Sequence, residues 1–429
     1  MIKRKNIFIC NIGIEERWND NIFSSQRKSF RMRNVEEISI MISGHDDIVI
    51  LRQYPNEGYI DDMKRIGFEI PEIIVLNSRE NNMDLCQCIV HNEKEILQSL
   101  KNQYNIVPYI YEKEIDIFKD KNKFSWLFKS NRIKIFNNKL NSYELMKRKK
   151  ILTTEYVIID DVDGAKESYL GLLKKGFQRV VVKMPFGAAG KGAFLINNMN
   201  ELASIIRIFL RKSSGKILIE GFYENSINFN YQLFISENGK IDVFFISEQI
   251  MNGLQYEGSF FGKSLNERLD TNEVKFYAEK VGRVLYDEGI RGVVGVDGIF
   301  ANNNYYPAID VNVRFTMSTY LYKVESIIGQ DKDFLSMIID VSSENALDYN
   351  KLNDILSRKK LKYDTVEREG IIIYVSGTLP NEKDNNMNCY IGRIYALSVA
   401  NNFEKCYEYR RLLFELVKKQ EGILMCNYE

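Results

Sequence analysis

The clearest hydrophobic pattern in this chain is a pair of alternating segments on either side of an asparagine-rich turn near residue 300. The segments read GVVGVDGIF at 292–300 and YYPAIDVNVRF at 305–315. Such alternation predicts two antiparallel strands that each pack one face on a core. The apolar positions of the second strand are Ile309, Val311, Val313 and Phe315. A turn centred between Asn303 and Asn304 would place Asp297 directly opposite Asp310.

The other face of this predicted hairpin is polar. Asn312 and Arg314 follow Asp310 at two-residue spacing and therefore share its face. Carboxylate and carbonyl oxygens are the ligands that Mg²⁺ prefers, and a guanidinium binds phosphate oxygens in pairs. The face thus predicts Mg²⁺ held against phosphate by Asp297, Asp310 and Asn312, with Arg314 beside it. The alternative is an ordinary solvated strand face, which shows the same alternation.

The first hundred residues alternate short apolar runs with helical stretches. Strands are predicted at 6–10, 47–51 and 73–76, with helices near 35–42 and 59–66. This rhythm predicts βαβ units and a parallel sheet. No G-x-G-x-x-G motif is present, so a dinucleotide site is not supported.

The rest of the chain mixes both kinds of element. Strands are predicted at 156–160, 178–184 and 216–222, with a hairpin at 229–235 and 241–247 and helices at 165–174, 200–212 and 271–288. Residues 247–268 are rich in glycine and polar groups and predict a long mobile loop. Beyond 330, helices are predicted at 332–340, 350–358 and 403–419, with strands at 370–376 and 390–397. These patterns predict three domains at 1–105, 106–328 and 329–429.

A second phosphate signal lies at the strand RVVVK, which ends in Lys183. The loop that follows contains Gly187, Ala188, Ala189, Gly190, Lys191 and Gly192. A lysine before a small-residue loop can place its ammonium on one phosphate and the loop amides on the next. Pro185 and Gly192 rule out a Walker A motif, and no H-R-D or D-F-G follows as in protein kinases. The alternative is a simple turn between strands.

A third segment, ILIEGF at 217–222, is an apolar strand that closes with an acid. Glu220, next to exposed backbone groups, could accept a hydrogen bond from an adenine amine or a ribose hydroxyl, while the apolar residues of the segment flank the ring. A strand-ending glutamate is also a common solvated cap. Its place in the chain between the glycine loop and the polar hairpin favours the nucleotide interpretation.

Composition narrows the function classes. Lys and Arg number 59 against 58 Asp and Glu, so the net charge of +1 provides no general attraction to nucleic acid or a membrane. No segment has the length and apolarity of a membrane span, which predicts a cytoplasmic protein. With two histidines and six scattered cysteines, the chain has few residues for a Ser-His-Asp triad or a zinc centre. The scattered cysteines fit reduced thiols.

The chain resembles the ATP-grasp superfamily of ligases over about residues 105–325. The resemblance rests on the combination of Lys139, Lys183, the glycine loop, the strand with Glu220 and the polar hairpin. The resemblance implies that Lys139 and Lys183 bind phosphates, that Gly187 to Gly192 cover the triphosphate, and that Glu220 to Phe222 hold adenine. It assigns the metal to Asp297, Asp310 and Asn312, and places Arg314 beside the reacting phosphoryl group. Asp310 stands where many members carry Glu. The leading residues 6–13 resemble the pre-ATP-grasp domain of pheganomycin-type peptide ligases. More loosely, the size of the chain and the order of its parts resemble the glutamate to acyl-carrier-protein ligases of butirosin biosynthesis.

The fold expected from this resemblance is α/β and α+β: an ATP-grasp fold after a parallel-sheet pre-ATP-grasp domain and before a small α+β domain. The implied activity uses ATP with Mg²⁺, or Mn²⁺ in its place. It activates an amino-acid carboxylate as an acyl phosphate and transfers it to an amine, a peptide or a carrier-protein thiol in natural-product biosynthesis. A homodimer is left open. The alternatives are a small-molecule kinase on the same scaffold and a non-catalytic nucleotide-binding module. Within 247–268, a lid over the acceptor is expected from Tyr256, Glu257, Ser259 and Lys263.

Overall fold

A five-stranded parallel sheet forms the N-terminal region of the computed structural model, which describes residues 5–13, 18, 32, 34–76, 84–100, 104–122, 124–126, 132–187, 192–213, 215–384 and 387–428. Its strands are β1 (Lys5–Ile9), β2 (Ile48–Leu51), β3 (Glu72–Val75), β4 (Tyr104–Pro108) and β5 (Ser125–Trp126), in the order β3-β2-β1-β4-β5. Its helices are α1 (Glu57–Ile66), α2 (Leu85–His91), α3 (Glu93–Ser99) and α4 (Lys113–Lys121). The predicted parallel sheet is confirmed, whereas the predicted helix near 35–42 is a 3₁₀ helix over Val35–Met41.

The second unit is a four-stranded antiparallel sheet. Its strands are β6 (Tyr156–Ile159), β7 (Val180–Lys183), β8 (Ala193–Ile196) and β9 (Ile217–Gly221), in the order β6-β9-β7-β8. The helices of this part of the chain are α5 (Ile133–Phe136), α6 (Lys139–Arg148), α7 (Val162–Lys174) and α8 (Met199–Lys212). Helices α7 and α8 share one apolar core with the sheet. The other face of the sheet is therefore left for α6, whose Tyr143 packs on Leu218 of β9.

The third unit is a ten-stranded sheet. Its strands are β10 (Ile227–Ile235), β11 (Ile241–Asn252), β12 (Gln255–Gly262), β13 (Gly292–Ala301), β14 (Asn304–Asn312), β15 (Asp333–Ser343), β16 (Gly370–Val375), β17 (Lys383–Asp384), β18 (Cys389–Ala400) and β19 (Ile423–Tyr428). The main order is β14-β13-β10-β11-β12-β15-β18-β16, with β17 on β18 and β19 on β15. The helices here are α9 (Leu265–Arg268), α10 (Thr271–Asp287), α11 (Val324–Ile328), α12 (Tyr349–Arg358) and α13 (Phe403–Lys418).

Two predicted elements are wrong. The expected mobile loop at 247–268 is mostly the β11–β12 hairpin, so Tyr256, Glu257 and Ser259 belong to a strand of the sheet and form no free lid. The expected helix at 332–340 is strand β15, buried along its whole length. The apolar residues of this segment, Phe334, Leu335 and 337–339, do not alternate strictly with polar ones, and here both faces of the strand are covered.

The sheet continues across the predicted boundary at 328/329. Strand β12 pairs with β15, with Phe260 opposite Leu335, so strands on both sides of the predicted boundary belong to one sheet. The division into 1–105, 106–328 and 329–429 stays a prediction about the chain. No helix in the described ranges combines the length and apolarity needed to cross a membrane.

Glycine 258 permits the close approach of β12 to β15. A Cβ at this position would lie 1.9 Å from the Ser336 carbonyl oxygen. We expect Gly258→Ala to push the strands apart and lower the free energy of unfolding by about 1–3 kcal/mol, seen as a lower melting temperature. The matched control is Gly171→Ala in α7, where a Cβ meets nothing within 4 Å; it should stabilise by about 0.5–1 kcal/mol. Equal melting temperatures for the two variants would contradict this account.

Candidate nucleotide and metal site

The polar hairpin predicted from the sequence lies at one edge of the ten-stranded sheet. Asp297 of β13 pairs directly with Asp310 of β14, and Gly295 pairs with Asn312. The turn itself is at Asn302 and Asn303, both with positive φ, one residue earlier than expected. An irregularity between Asp297 and Ile299 restores the predicted pairing.

Helix α6 brings a lysine to this hairpin. Lys139 Nζ forms an ion pair with Asp310 Oδ2, and the Lys139 side chain is buried. The Lys139 amide also donates to the Pro185 carbonyl at 2.8 Å, which ties the start of α6 to the segment after β7. Tyr143 of α6, Leu218 of β9 and Ile309 of β14 belong to one apolar cluster. The helix therefore connects the four-stranded sheet to the hairpin.

The two carboxylates of the hairpin have different hydrogen-bond partners. Asn230 Nδ2 and Gln249 Nε2 both donate to Asp297 Oδ1, at 2.7 and 2.9 Å. Burial, and then the nearby charge of Asp310, raise the pKa of Asp297 to about 6. The two facing carboxylates repel each other, and Lys139 is the cation that pairs with Asp310, so the pair has the electrostatics of a cation site.

Arg314 is buried directly beside Asn312. Its Nη2 donates to Asn312 Oδ1 at 2.7 Å, and its Nη1 donates to the Tyr109 hydroxyl at 3.0 Å and the Phe315 carbonyl at 2.8 Å. The guanidinium also lies 5.3 Å from the Tyr109 ring centroid. A residue that follows β4 of the N-terminal sheet thus helps to fix an arginine of the site.

A second buried cluster lies at the end of the four-stranded sheet. Lys183 pairs with Glu220, and its Nζ donates to the Tyr143 hydroxyl at 3.1 Å. Tyr143 and Thr154 donate to Glu220 Oε2 at 2.5 and 2.8 Å. Burial alone would lower the pKa of Lys183, but the charge of Glu220 outweighs it and holds that pKa above its usual value. Burial and Glu220 raise the pKa of Tyr143, which stays a hydroxyl.

The glycine loop is described only at its ends. Gly187 and Gly192 lie on either side, and the Met184 amide donates to the Gly192 carbonyl at 2.7 Å. Gly192 has φ +80 and would bring a Cβ within 2.9 Å of the Met184 side chain, so a glycine suits it. Ala188, Ala189, Gly190 and Lys191 lie outside the described residues.

The predicted adenine segment follows Glu220. Gly221 is the last residue of β9, and its amide donates to the Glu155 carbonyl at 2.9 Å. The Arg179 guanidinium lies 4.6 Å from the centroid of the Phe222 ring. Glu220 points to Lys183 and Tyr143 in this arrangement. The adenine role of Glu220, Gly221 and Phe222 stays a prediction.

The residues present fit a magnesium ion. Asp297 Oδ1 and Asp310 Oδ2 are occupied by protein donors, which leaves Asp297 Oδ2 and Asp310 Oδ1 for a cation. Asn312 adds an amide oxygen, which keeps one lone pair besides the one that accepts from Arg314 Nη2, so all donors are hard oxygens. The described residues contain no group of three or more His, Cys, Asp or Glu suited to a metal, in keeping with a site that also needs an amide and phosphate oxygens.

Four residues of these clusters were not predicted from the sequence. They are Tyr143, Thr154, Asn230 and Gln249. Asn230 lies at an alternating polar position of the predicted strand 229–235, a signal that could have marked it. Gln249 falls in the segment 247–268 that was predicted as a loop, whereas β11 extends to Asn252. Their contact with Asp297 depends on the order β13-β10-β11, which no local pattern gives.

Comparisons with known proteins identify the fold in which this site lies. Residues 136–318 match the family model of the ATP-grasp domain, and residues 351–413 match that of the PGM1 C-terminal domain. The biotin carboxylase domain of 2-oxoglutarate carboxylase from Hydrogenobacter thermophilus, solved as a dimer with MgADP, ADP and bicarbonate, superposes with a TM-score of 0.59 at 14% identity, over 98% of this chain and 91% of that one. N5-carboxyaminoimidazole synthetase from Staphylococcus aureus with ADP gives 0.52 at 14% identity, over 96% and 97%.

These matches define an ATP-grasp fold with a parallel N-terminal sheet and a C-terminal region, as predicted. Residues 136–318 form an ATP-grasp domain, and the similarities of the chain are those of an ATP-grasp ligase that uses ATP and Mg²⁺. It is 25% identical, over 400 residues, to the [butirosin acyl-carrier protein]–L-glutamate ligase of Niallia circulans; the match covers 90% of this chain and 87% of that protein.

Proposed function

We propose that this protein is an ADP-forming carboxylate ligase that activates an amino-acid carboxylate as an acyl phosphate. The observation that carries the proposal is that helix α6 contacts both the polar hairpin and the lysine at the end of β7. Lys139 of this helix pairs with Asp310, and Tyr143 accepts a hydrogen bond from Lys183. Cations for phosphate thus adjoin hard oxygens for a metal in one buried polar site.

The proposed chemistry has two steps. A carboxylate oxygen of the substrate bonds to the γ-phosphorus of ATP while the bond from that phosphorus to the β,γ-bridging oxygen breaks, giving the acyl phosphate and ADP. A thiol or amine then attacks the acyl carbon, and inorganic phosphate leaves as the nucleophile loses its proton. No covalent bond to the protein is needed in either step.

The protein's part is positioning and neutralisation of charge. Lys183, and Lys139 once it exchanges Asp310 for phosphate, would bind phosphoryl oxygens; Arg314 would face the transferred group. Asp297, Asp310 and Asn312 would hold Mg²⁺, which when bound supplies a Lewis acid for the triphosphate. The six cysteines are all buried without disulfides, and burial raises the pKa of Cys10 to about 12, so none is suited to carry the acyl group.

For the substrates, we propose an L-amino acid, with glutamate as the first to test, and the thiol of an acyl-carrier protein as the acceptor. The similarity of this chain, over most of its length, to a ligase of that description supports this choice. The same similarity supports a proposed role in natural-product biosynthesis. The alternative acceptor is an amine or a peptide, because the same acyl phosphate would react with its nitrogen.

The test is ADP release measured with each amino acid in the presence of Mg²⁺, first with hydroxylamine and then with carrier protein. We expect one or a few acids to give ADP, phosphate and an acyl hydroxamate, and mass spectrometry to find the acyl group on the carrier thiol. A stable phosphorylated product without hydroxamate would favour a kinase instead. Release of AMP, or no response to any acid, would contradict the proposal.

A further inference from the structure

A chain of hydrogen bonds leads from the metal hairpin into the sheet. Asp297 Oδ1 accepts from Asn230 Nδ2, and Asn230 Oδ1 accepts from Gln232 Nε2 at 2.6 Å. Gln232 Oε1 in turn accepts from Thr319 Oγ1 at 2.6 Å, and Thr319 Oγ1 accepts from the Thr316 amide at 2.8 Å. The chain therefore runs from the segment just after Arg314 to a predicted metal ligand.

In every hydrogen bond of this chain, the donor is the group farther from Asp297. Asn230, Gln232 and Thr319 are fully buried, so water cannot replace a lost partner. The second Gln232 N–H donates to Thr316 Oγ1 at 2.9 Å, which fixes the amide orientation of Gln232. If either amide were flipped, a carbonyl oxygen would face another oxygen. The threonine hydroxyl thus sets Gln232, Gln232 sets Asn230, and Asn230 presents its N–H to Asp297.

Gln249 adds a second donor from β11 to the same oxygen of Asp297. Two N–H groups on Oδ1 favour the ionised carboxylate and fix its orientation, which leaves Oδ2 as the oxygen for a cation. Carboxylates that bind metals are commonly oriented by such outer hydrogen bonds, whose loss weakens metal binding. Nothing else in the described ranges is bonded to Asp297 Oδ1.

We propose that Thr319, Gln232 and Asn230, together with Gln249, are positioning residues that hold Asp297 in the orientation that binds the metal. This inference rests on the proposed function only through the metal role of Asp297. It also links the metal to the segment that carries Arg314, because Thr316 and Thr319 close the turn directly after that arginine. The metal site and the arginine would therefore be set by the same hydrogen-bonded network.

The experiment measures the dissociation constant of Mn²⁺ in the presence of ADP, from the electron paramagnetic resonance signal of free Mn²⁺. We expect Thr319→Val, which keeps the shape and removes the hydroxyl, to weaken Mn²⁺ binding about 10- to 100-fold. Thr319→Ser keeps the hydroxyl and should bind within about twofold of the unchanged protein. Gln249→Met removes the other donor from a less buried position and should also weaken binding, which provides a second variant if Thr319→Val does not fold.

The matched control is Ser247→Ala. Ser247 is opposite Asn230 on β11 and is equally buried, but its hydroxyl has no hydrogen-bond partner among the described residues. This variant should bind Mn²⁺ normally. Normal Mn²⁺ binding by both Thr319→Val and Gln249→Met would overturn the inference, as would equal losses in Thr319→Ser and Thr319→Val. If the unchanged protein binds Mn²⁺ with ADP but no acid stimulates ADP release, the proposed function fails while the positioning role stands.

Discussion

Replacement of Asp310 by asparagine is expected to reduce ADP formation about 10²- to 10³-fold, the range seen when one preorganised electrostatic group is lost from an active site. The amide keeps the size of the side chain and an oxygen that can accept from Lys139, so the fold should survive. What disappears is the negative charge that faces Asp297 across the ladder and balances both Lys139 and the proposed cation. The measurement is the initial rate of ADP release at saturating ATP and amino acid.

The control for Asp310→Asn is Asp242→Asn on strand β11, an exposed carboxylate at a distant point of the same sheet. It should leave the rate unchanged. Raising the Mg²⁺ concentration should recover part of the activity of Asp310→Asn, because a weakened site is filled by mass action. An Asp310→Asn protein with an unchanged rate would remove Asp310 from the metal set and would favour a nucleotide-binding module without catalysis.

The pairing of Asp297 with Asp310 could be predicted from the sequence, but partly because two departures from ideal geometry cancel. The turn lies at Asn302 and Asn303, so an undisturbed ladder would have put residue 308 opposite residue 297. The irregularity opposite Pro307 shifts the register by two residues, in a strand segment where proline has no N–H to offer the ladder. A shift by two preserves the face, so the polar side was predicted correctly.

The contacts between separate strands could not be predicted in this way. Strand β10 lies between β13 and β11 in the sheet, although β11 and β12 separate β10 from β13 along the chain. Asn230 and Gln249 therefore meet Asp297 only through the topology of the sheet. The error at β15 has a different cause. A strand buried on both faces carries apolar residues without alternation, and a short helix can show the same run.

The loss of Lys183 is expected to have the second large effect, on both stability and activity. Lys183→Met would leave Glu220 buried with two hydroxyl donors and no cation. Removing one partner of a buried ion pair typically destabilises a protein by about 3–5 kcal/mol, so the melting temperature should fall markedly. Because Lys183 is the proposed phosphate-binding ammonium, its loss should also weaken ATP binding, measured by equilibrium titration.

A double variant separates these two effects. Lys183→Met with Glu220→Gln removes both charges, and the glutamine oxygen can still accept from Tyr143 and Thr154. Most of the lost stability should return, because replacing both members of a buried pair is far less costly than breaking it. The affinity for ATP and the rate of ADP release should stay low, since no ammonium remains at the end of β7. Recovery of activity along with stability would show that Lys183 serves the fold alone and does not bind phosphate.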